Sequence, residues 1–232
     1  MSPGFAYQAA SLLRLPDFMP LDYCQALCSV GESAPSSAAK VVTSAGTRQN
    51  DHDRKSRVIR LPDFLLAPYL KRLYTLRSQF EDSLGCELAR CESPQLLAYS
   101  RGDHFTTHRD TDDEPGLPPN IRHRVVSVVL FLNAPSAGLS EGKYGGGTLT
   151  FFDLSETATA NGFRAPVVGH PGMLVAFPSG WLHYVTPVQH GARWTLVTWF
   201  AKAGTGCDGE GTTQCDLLSC KATGMAQPRC GT

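Results

Sequence analysis

The stretch "HYVTPVQHGARWTLVTWF", residues 183–200, decides how this chain folds. Pro187 and Gly191 punctuate a turn, and the run that starts at Arg193 is built from β-branched and aromatic residues, the composition of a strand. Alternation along that strand places Arg193 and Thr195 on the same face. The same texture reaches back to residue 95. "QLLAYS" (95–100), "RVVSVVLFLN" (124–133), "GGTLTFFD" (146–153), "GMLVAFP" (172–178) and "LHYVTPV" (182–188) are short, rich in Val, Leu, Thr and aromatics, and separated by Gly, Pro, Asp and Asn. Strands of this length and spacing predict an antiparallel barrel or jelly roll over residues 95–200.

Upstream, the pattern changes. "SLLRLPDFMPLDYCQAL" (11–27) and "SRVIRLPDFLLAPYLKRL" (56–73) share the block LPDF and an order of short apolar run, Pro-Asp turn and helical pattern, so helices are expected on one flank of the sheet. Leu66, Leu70, Leu73, Leu76, Phe80 and Leu84 keep helical spacing, which predicts one helix over about 65–84, ended by Gly85. Residues 31–57 are rich in small and polar side chains without a sustained period, and read as a mobile loop that covers a substrate or is simply disordered. The fold class expected is mainly β with flanking helices (α+β). A single domain spans 1–200, with support over 1–94 and a core over 95–200, followed by a Cys/Gly-rich tail over 201–232.

The chain has 232 residues, 42% of them hydrophobic, enough for a sizeable core. Lys+Arg and Asp+Glu both number 21, so no global positive field recruits nucleic acid or anionic lipid. No apolar run reaches the roughly 18 residues a membrane-spanning helix needs, and the first twenty lack a signal-peptide pattern, so a soluble, cytoplasmic protein is expected. Cys24, Cys28, Cys86 and Cys91 sit in structured segments; Cys207, Cys215, Cys220 and Cys230 crowd the tail, where disulfides and free thiols are equally compatible with the spacing.

His108 and Asp110 lie two apart, so an extended backbone offers an imidazole and a carboxylate on one face. A third ligand should come from another strand. Among His123, His170, His183 and His190, His183 has the best setting, re-entering the sheet after a Pro-Ser-Gly turn, with His170 second. Two histidines and a carboxylate form the facial set that binds non-haem Fe(II) and leaves positions open. Ten residues beyond His183, an inward Arg193 would be a buried cation, costly unless an anion pairs with it, and its fork suits a carboxylate. Gly145, Gly146 and Gly147 lack the Lys-Ser/Thr of a phosphate loop and read as a tight turn into a strand. Asp112, Asp113 and Glu114 read as a solvated loop, and Trp181, beside His183, as core or as a substrate contact.

Tyr99 nine residues before the His108 of "HRD", then "GGTLTFF", then "HYVTPVQHGAR", resembles the 2-oxoglutarate- and Fe(II)-dependent dioxygenases of the prolyl 4-hydroxylase-like branch, over residues 95–200. The resemblance implies a double-stranded β-helix with N-terminal helices packed on one sheet. It implies iron ligation by His108, Asp110 and His183, and 2-oxoglutarate held by Arg193 and Tyr99, with Thr195 beside them. Dioxygen is the second co-substrate and ascorbate the expected reductant. Hydroxylation of an unactivated C–H bond would accompany release of succinate and carbon dioxide. The substrate is a peptide or protein proline or a related amino-acid side chain; alternatives are a free amino acid, a small metabolite or a modified nucleobase. Trp181 and Arg57 are the candidate substrate contacts, and the partners a peptide, protein or small molecule rather than a membrane or nucleic acid. A metal-binding cupin-like module without oxygenase activity is the reading from another class, and it has no use for a buried Arg193.

Overall fold

The computed structural model describes residues 12–152 and 164–204; Cys207, Cys215, Cys220 and Cys230 lie outside them. In chain order the elements are β1 (Leu13–Leu15), α1 (Leu21–Ser33), β2 (Ser36–Ala38), β3 (Val41–Thr43), β4 (Gly46–Arg48), β5 (Arg54–Lys55), β6 (Arg57–Ile59), α2 (Asp63–Thr75), α3 (Arg77–Leu84), β7 (Leu88–Cys91) and β8 (Gln95–Tyr99). Then come β9 (His104–His108), α4 (Pro119–Arg122), β10 (Arg124–Phe131), β11 (Gly145–Gly146), β12 (Leu149–Phe152), β13 (Arg164–Val167), β14 (Leu174–Pro178), β15 (His183–Val185), β16 (Val188–His190) and β17 (Arg193–Lys202).

Two antiparallel sheets face each other. The larger has the order β1-β14-β10-β17-β8-β6-β2, with β7 on the far half of β17; the smaller runs β13-β12-β15-β9-β5. This is the double-stranded β-helix, and the two-residue period explains how it is filled. Leu97, Tyr99, Val129, Phe131, Val175, Phe177, Val197 and Trp199 point from the large sheet to Leu149, Phe151, Val167 and Val185 between the sheets. Their neighbours Leu96, Ala98, Val128, Leu130, Ala176 and Leu196 point the other way, onto Leu27, Leu66, Leu70, Leu73 and Phe80 of the helices. Helices on one flank of the large sheet are therefore what the repeated LPDF units produce.

Two local expectations are corrected. The helix over 65–84 is two helices, broken at Leu76, whose φ/ψ of −99°/4° lies off the helical pair; Gly85 ends the second in the left-handed region at φ 64°. The break lets α3 turn while Phe80 and Leu84 still reach the core. Residues 31–57 are not a structureless loop: α1 runs to Ser33 and five short strands follow. Val41-Val42-Thr43 pairs with Gly46-Thr47-Arg48 across a turn that Gly46 closes at φ 117°, while β2 extends the large sheet and β5 the small one. Backbone pairing to existing sheet edges orders this segment, a signal that its small, polar side chains do not carry.

Candidate active site

The site lies between the sheets, and strand register assembles it. His183 of β15 pairs directly with His108 of β9, so their imidazoles stand side by side with centroids 4.2 Å apart. Asp110 follows the end of β9 and is tied back by its N–H to the Ser179 carbonyl at 2.9 Å. Its carboxylate oxygens reach 3.5 Å from His108 Nε2 and 3.6 Å from His183 Nε2. One ligand atom from each residue falls within 4.8 Å of the others.

The outer contacts prepare these atoms. His108 Nδ1 lies 2.8 Å from the Thr106 carbonyl and His183 Nδ1 2.8 Å from the Trp181 carbonyl. A carbonyl only accepts, so each Nδ1 carries the proton and each Nε2 turns a lone pair toward Asp110. Ser127 Oγ donates to Asp110 Oδ2 at 2.6 Å and lies 2.9 Å from the Ser179 hydroxyl. Burial alone would raise the Asp110 carboxyl, yet His183, His108 and the Ser127 hydroxyl outweigh it and hold it well below the usual carboxylate range. Burial, with the charge of His108, pushes the His183 imidazole down to about 4 against the pull of Asp110 and the Trp181 carbonyl. A neutral imidazole and an ionised carboxylate are the states a divalent metal needs, and two nitrogens with one oxygen on one face fit Fe(II).

A second cluster lies deeper in the same cavity, whose volume is about 1130 Å³. Arg193 is only 2% exposed, in register with Tyr99 on β8, and its guanidinium stands 5.2 Å from the Tyr99 ring and 5.3 Å from that of Phe131. Its Nη1 donates to Thr195 Oγ1 at 3.4 Å, and its Nε has no partner. No acidic group among the described residues forms an ion pair with it. A cation buried this way calls for an anion that enters from outside, and a small dicarboxylate that also reaches the metal position answers that need.

The expectations sort cleanly in space. His108, Asp110, His183, Tyr99, Arg193 and Thr195 all line the one cavity. His170 and Asp112, Asp113 and Glu114 are exposed, as a surface position and a solvated loop would be. Trp181 and Arg57 do not line the cavity: the Trp181 ring packs edge-on against Phe151 at 5.9 Å, and Arg57 Nη1 reaches Ser36 Oγ at 3.5 Å. What Trp181 contributes is its carbonyl, under His183. Ser127, Tyr144 and Phe105 were not singled out from the sequence, whereas Arg54 belongs to the 31–57 segment expected to cover a substrate or to be disordered. Ser127 carried a signal, as the lone hydroxyl in an apolar strand. Tyr144 is deeply buried beside Arg193, with burial raising its hydroxyl against the charge and hydrogen bond of that arginine. The glycine run does more than turn: Gly147 has φ 58°, and a Cβ there would meet Arg193 Cδ at 2.9 Å.

Comparison with known proteins gives the same reading. Residues 94–201 match the model of the 2OG-Fe(II) oxygenase superfamily. PKHD-type hydroxylases are similar: that of Beijerinckia indica is 34% identical over 107 residues, 46% of this chain and 42% of that protein. That of Cupriavidus metallidurans is 33% identical over 126 residues, 53% of this chain and 49% of that protein. The matched stretch thus spans less than half the length of these curated relatives. Among solved structures, a Pseudomonas putida prolyl-4-hydroxylase superposes with TM-score 0.62 at 25% identity, covering 82% of this chain and 92% of that one. A Trichoplax adhaerens prolyl hydroxylase, solved with a hypoxia inducible factor peptide fragment, shares the fold at TM-score 0.64 and 15% identity, covering 84% and 86%. Residues 94–201 are thus similar to the 2OG-Fe(II) oxygenase superfamily, on a fold shared with prolyl 4-hydroxylases.

Proposed function

We propose that this protein hydroxylates an unactivated C–H bond in a 2-oxoglutarate- and Fe(II)-dependent reaction, on a peptide or protein proline or a related amino-acid side chain, and releases succinate and carbon dioxide. The observation that carries the reading is the buried, acid-free Arg193 in the same cavity as His108, Asp110 and His183. A cupin-like binding module would have to bear the cost of burying that cation without using it.

When bound, the iron would activate dioxygen, the oxidant, which takes two electrons from 2-oxoglutarate and two from the C–H bond, while ascorbate keeps the metal ferrous. The chain does the rest by geometry. His108, His183 and Asp110 hold the metal from one side, their orientation fixed by the Thr106 and Trp181 carbonyls and by Ser127. Arg193 would hold the far carboxylate of 2-oxoglutarate, with Thr195 and Tyr99 alongside, and so position the co-substrate in the cavity. Phe177 and Leu149, buried in the cavity wall, keep water from the reacting atoms.

Purified protein with Fe(II), ascorbate and 2-oxoglutarate is expected to form succinate, and His108→Ala or Asp110→Ala to abolish it. Succinate formation that survives both substitutions would remove the assignment of these residues.

A further inference from the structure

The cavity mouth carries a charge that the metal and 2-oxoglutarate do not use. Lys40, Arg54, Arg60 and Arg109 all line it, and none forms an ion pair with an acidic group among the described residues. Arg54 stands out among them. It belongs to β5, in register with Phe105 on β9, and its guanidinium lies over the Phe105 ring at 4.7 Å. That ring is stacked on the His108 imidazole, 3.4 Å away at 14°. Arg54 therefore stands one aromatic ring from the His108 side chain.

Its hydrogen bonding is incomplete in a directed way. Nη1 donates to the Lys40 carbonyl at 3.3 Å, which pins the side chain against the β3 segment, while Nε is buried and has no partner. A guanidinium fixed by stacking on one side and a backbone carbonyl on another has lost its rotamer freedom before any ligand arrives. With Nε enclosed, the terminal N–H groups are the ones left to face the cavity, and such a fork end suits a carboxylate.

We propose that Arg54 is a specificity-determining residue that binds a carboxylate of the substrate lying next to the group to be hydroxylated. Lys40, Arg60 and Arg109 supply the surrounding positive potential. The substrate class is then one with negative charge beside the target carbon. That charge comes either from an aspartate or glutamate flanking the residue in a peptide or from the α-carboxylate of a free amino acid. The proposal rests on the hydroxylase reading for which carbon reacts, but the carboxylate contact is a binding event that can be read without turnover.

The test is a set of affinity titrations on the full chain loaded with Mn(II) and 2-oxoglutarate under argon. Probes are blocked peptides with a central proline flanked by Asp, Ala or Lys, together with free L-proline and L-prolinamide. The wild type is expected to bind a carboxylate-bearing probe at least tenfold more tightly than its neutral counterpart. Preference for the Asp peptide marks the peptide source, and preference for proline over its amide marks the free amino acid. Arg54→Gln should erase the preference, Arg54→Lys should keep part of it, and Arg54→Glu should turn it toward the Lys-flanked peptide. Equal affinity of the wild type for charged and neutral probes, or a preference that persists in Arg54→Gln, would overturn the proposal. Failure of 2-oxoglutarate itself to bind is a separate titration and would strike the hydroxylase reading instead.

Discussion

Asp110 shows how much of a metal site depends on residues that spacing alone does not reveal. The facial set could be read because His108, Asp110, His183 and Arg193 obey fixed intervals that the chemistry imposes on each strand. Ser127 stood out only as a lone hydroxyl in an apolar strand, because its contact with Asp110 at 2.6 Å depends on which strands are neighbours and in what register. Tyr144 and Phe105 were hidden for the same reason. Ser127→Ala removes a buried hydrogen bond to a charged acceptor, a loss of about 1–3 kcal/mol of stability. It should also weaken metal binding by roughly 10- to 100-fold, the usual consequence of losing a group that orients a ligand. Mn(II) titration of the variant checks this, and an unchanged affinity would mean that the hydroxyl does not orient Asp110.

At the scale of elements, the helices on the large sheet were legible from the repeated LPDF units, and their contact with the site is close. Gly31 in α1 lies against β17, where an added Cβ would come within 2.5 Å of Trp194 Cζ3 and 2.9 Å of Leu96 Cδ2. Trp194 is the neighbour of Arg193, so the helix backs the strand that carries the buried cation. Gly31→Ala gains about 1 kcal/mol in helix propensity but forces two core side chains aside, at about 1–3 kcal/mol. Overpacking should win, and urea denaturation should show a net loss of stability; a stabilised variant would mean that α1 can shift away from the sheet. The β3–β4 hairpin was illegible because its strands pair only with each other, in a segment rich in small and polar side chains, although residues 31–57 were expected to cover a substrate or to be disordered. Ser44 at its tip donates to Glu114 Oε1 at 2.7 Å, joining the hairpin to the loop that follows Asp110.

For the molecule as a whole, the buried ligand set makes stability depend on pH in a defined direction. His183 has its pKa lowered from 6.5 to about 4, so the unfolded chain takes up a proton in this interval that the folded metal-free protein does not. Stability should therefore fall as pH drops from about 6.5 to 4, by on the order of 3 kcal/mol at most. Asp110, whose pKa is depressed, contributes stability that persists until its unfolded value of 3.8 is approached, so it does not offset the loss in that window. Denaturation of the metal-free protein at pH 7 and pH 5 measures the drop, and His183→Gln should flatten it. An equal drop in that variant would assign the dependence to other groups.

Every part of the account meets at Arg193, a cation held in the core without an acid. Calorimetric titration of 2-oxoglutarate into the Mn(II)-loaded protein tests it most directly, comparing wild type with Arg193→Met. The account predicts saturable binding to the wild type and an affinity at least about 100-fold weaker in the variant, about 2.7 kcal/mol. The variant's own folding stability should be undiminished, because the substitution removes an unpaired buried charge. A wild type that does not bind 2-oxoglutarate, or a variant that binds it equally well, would contradict the account.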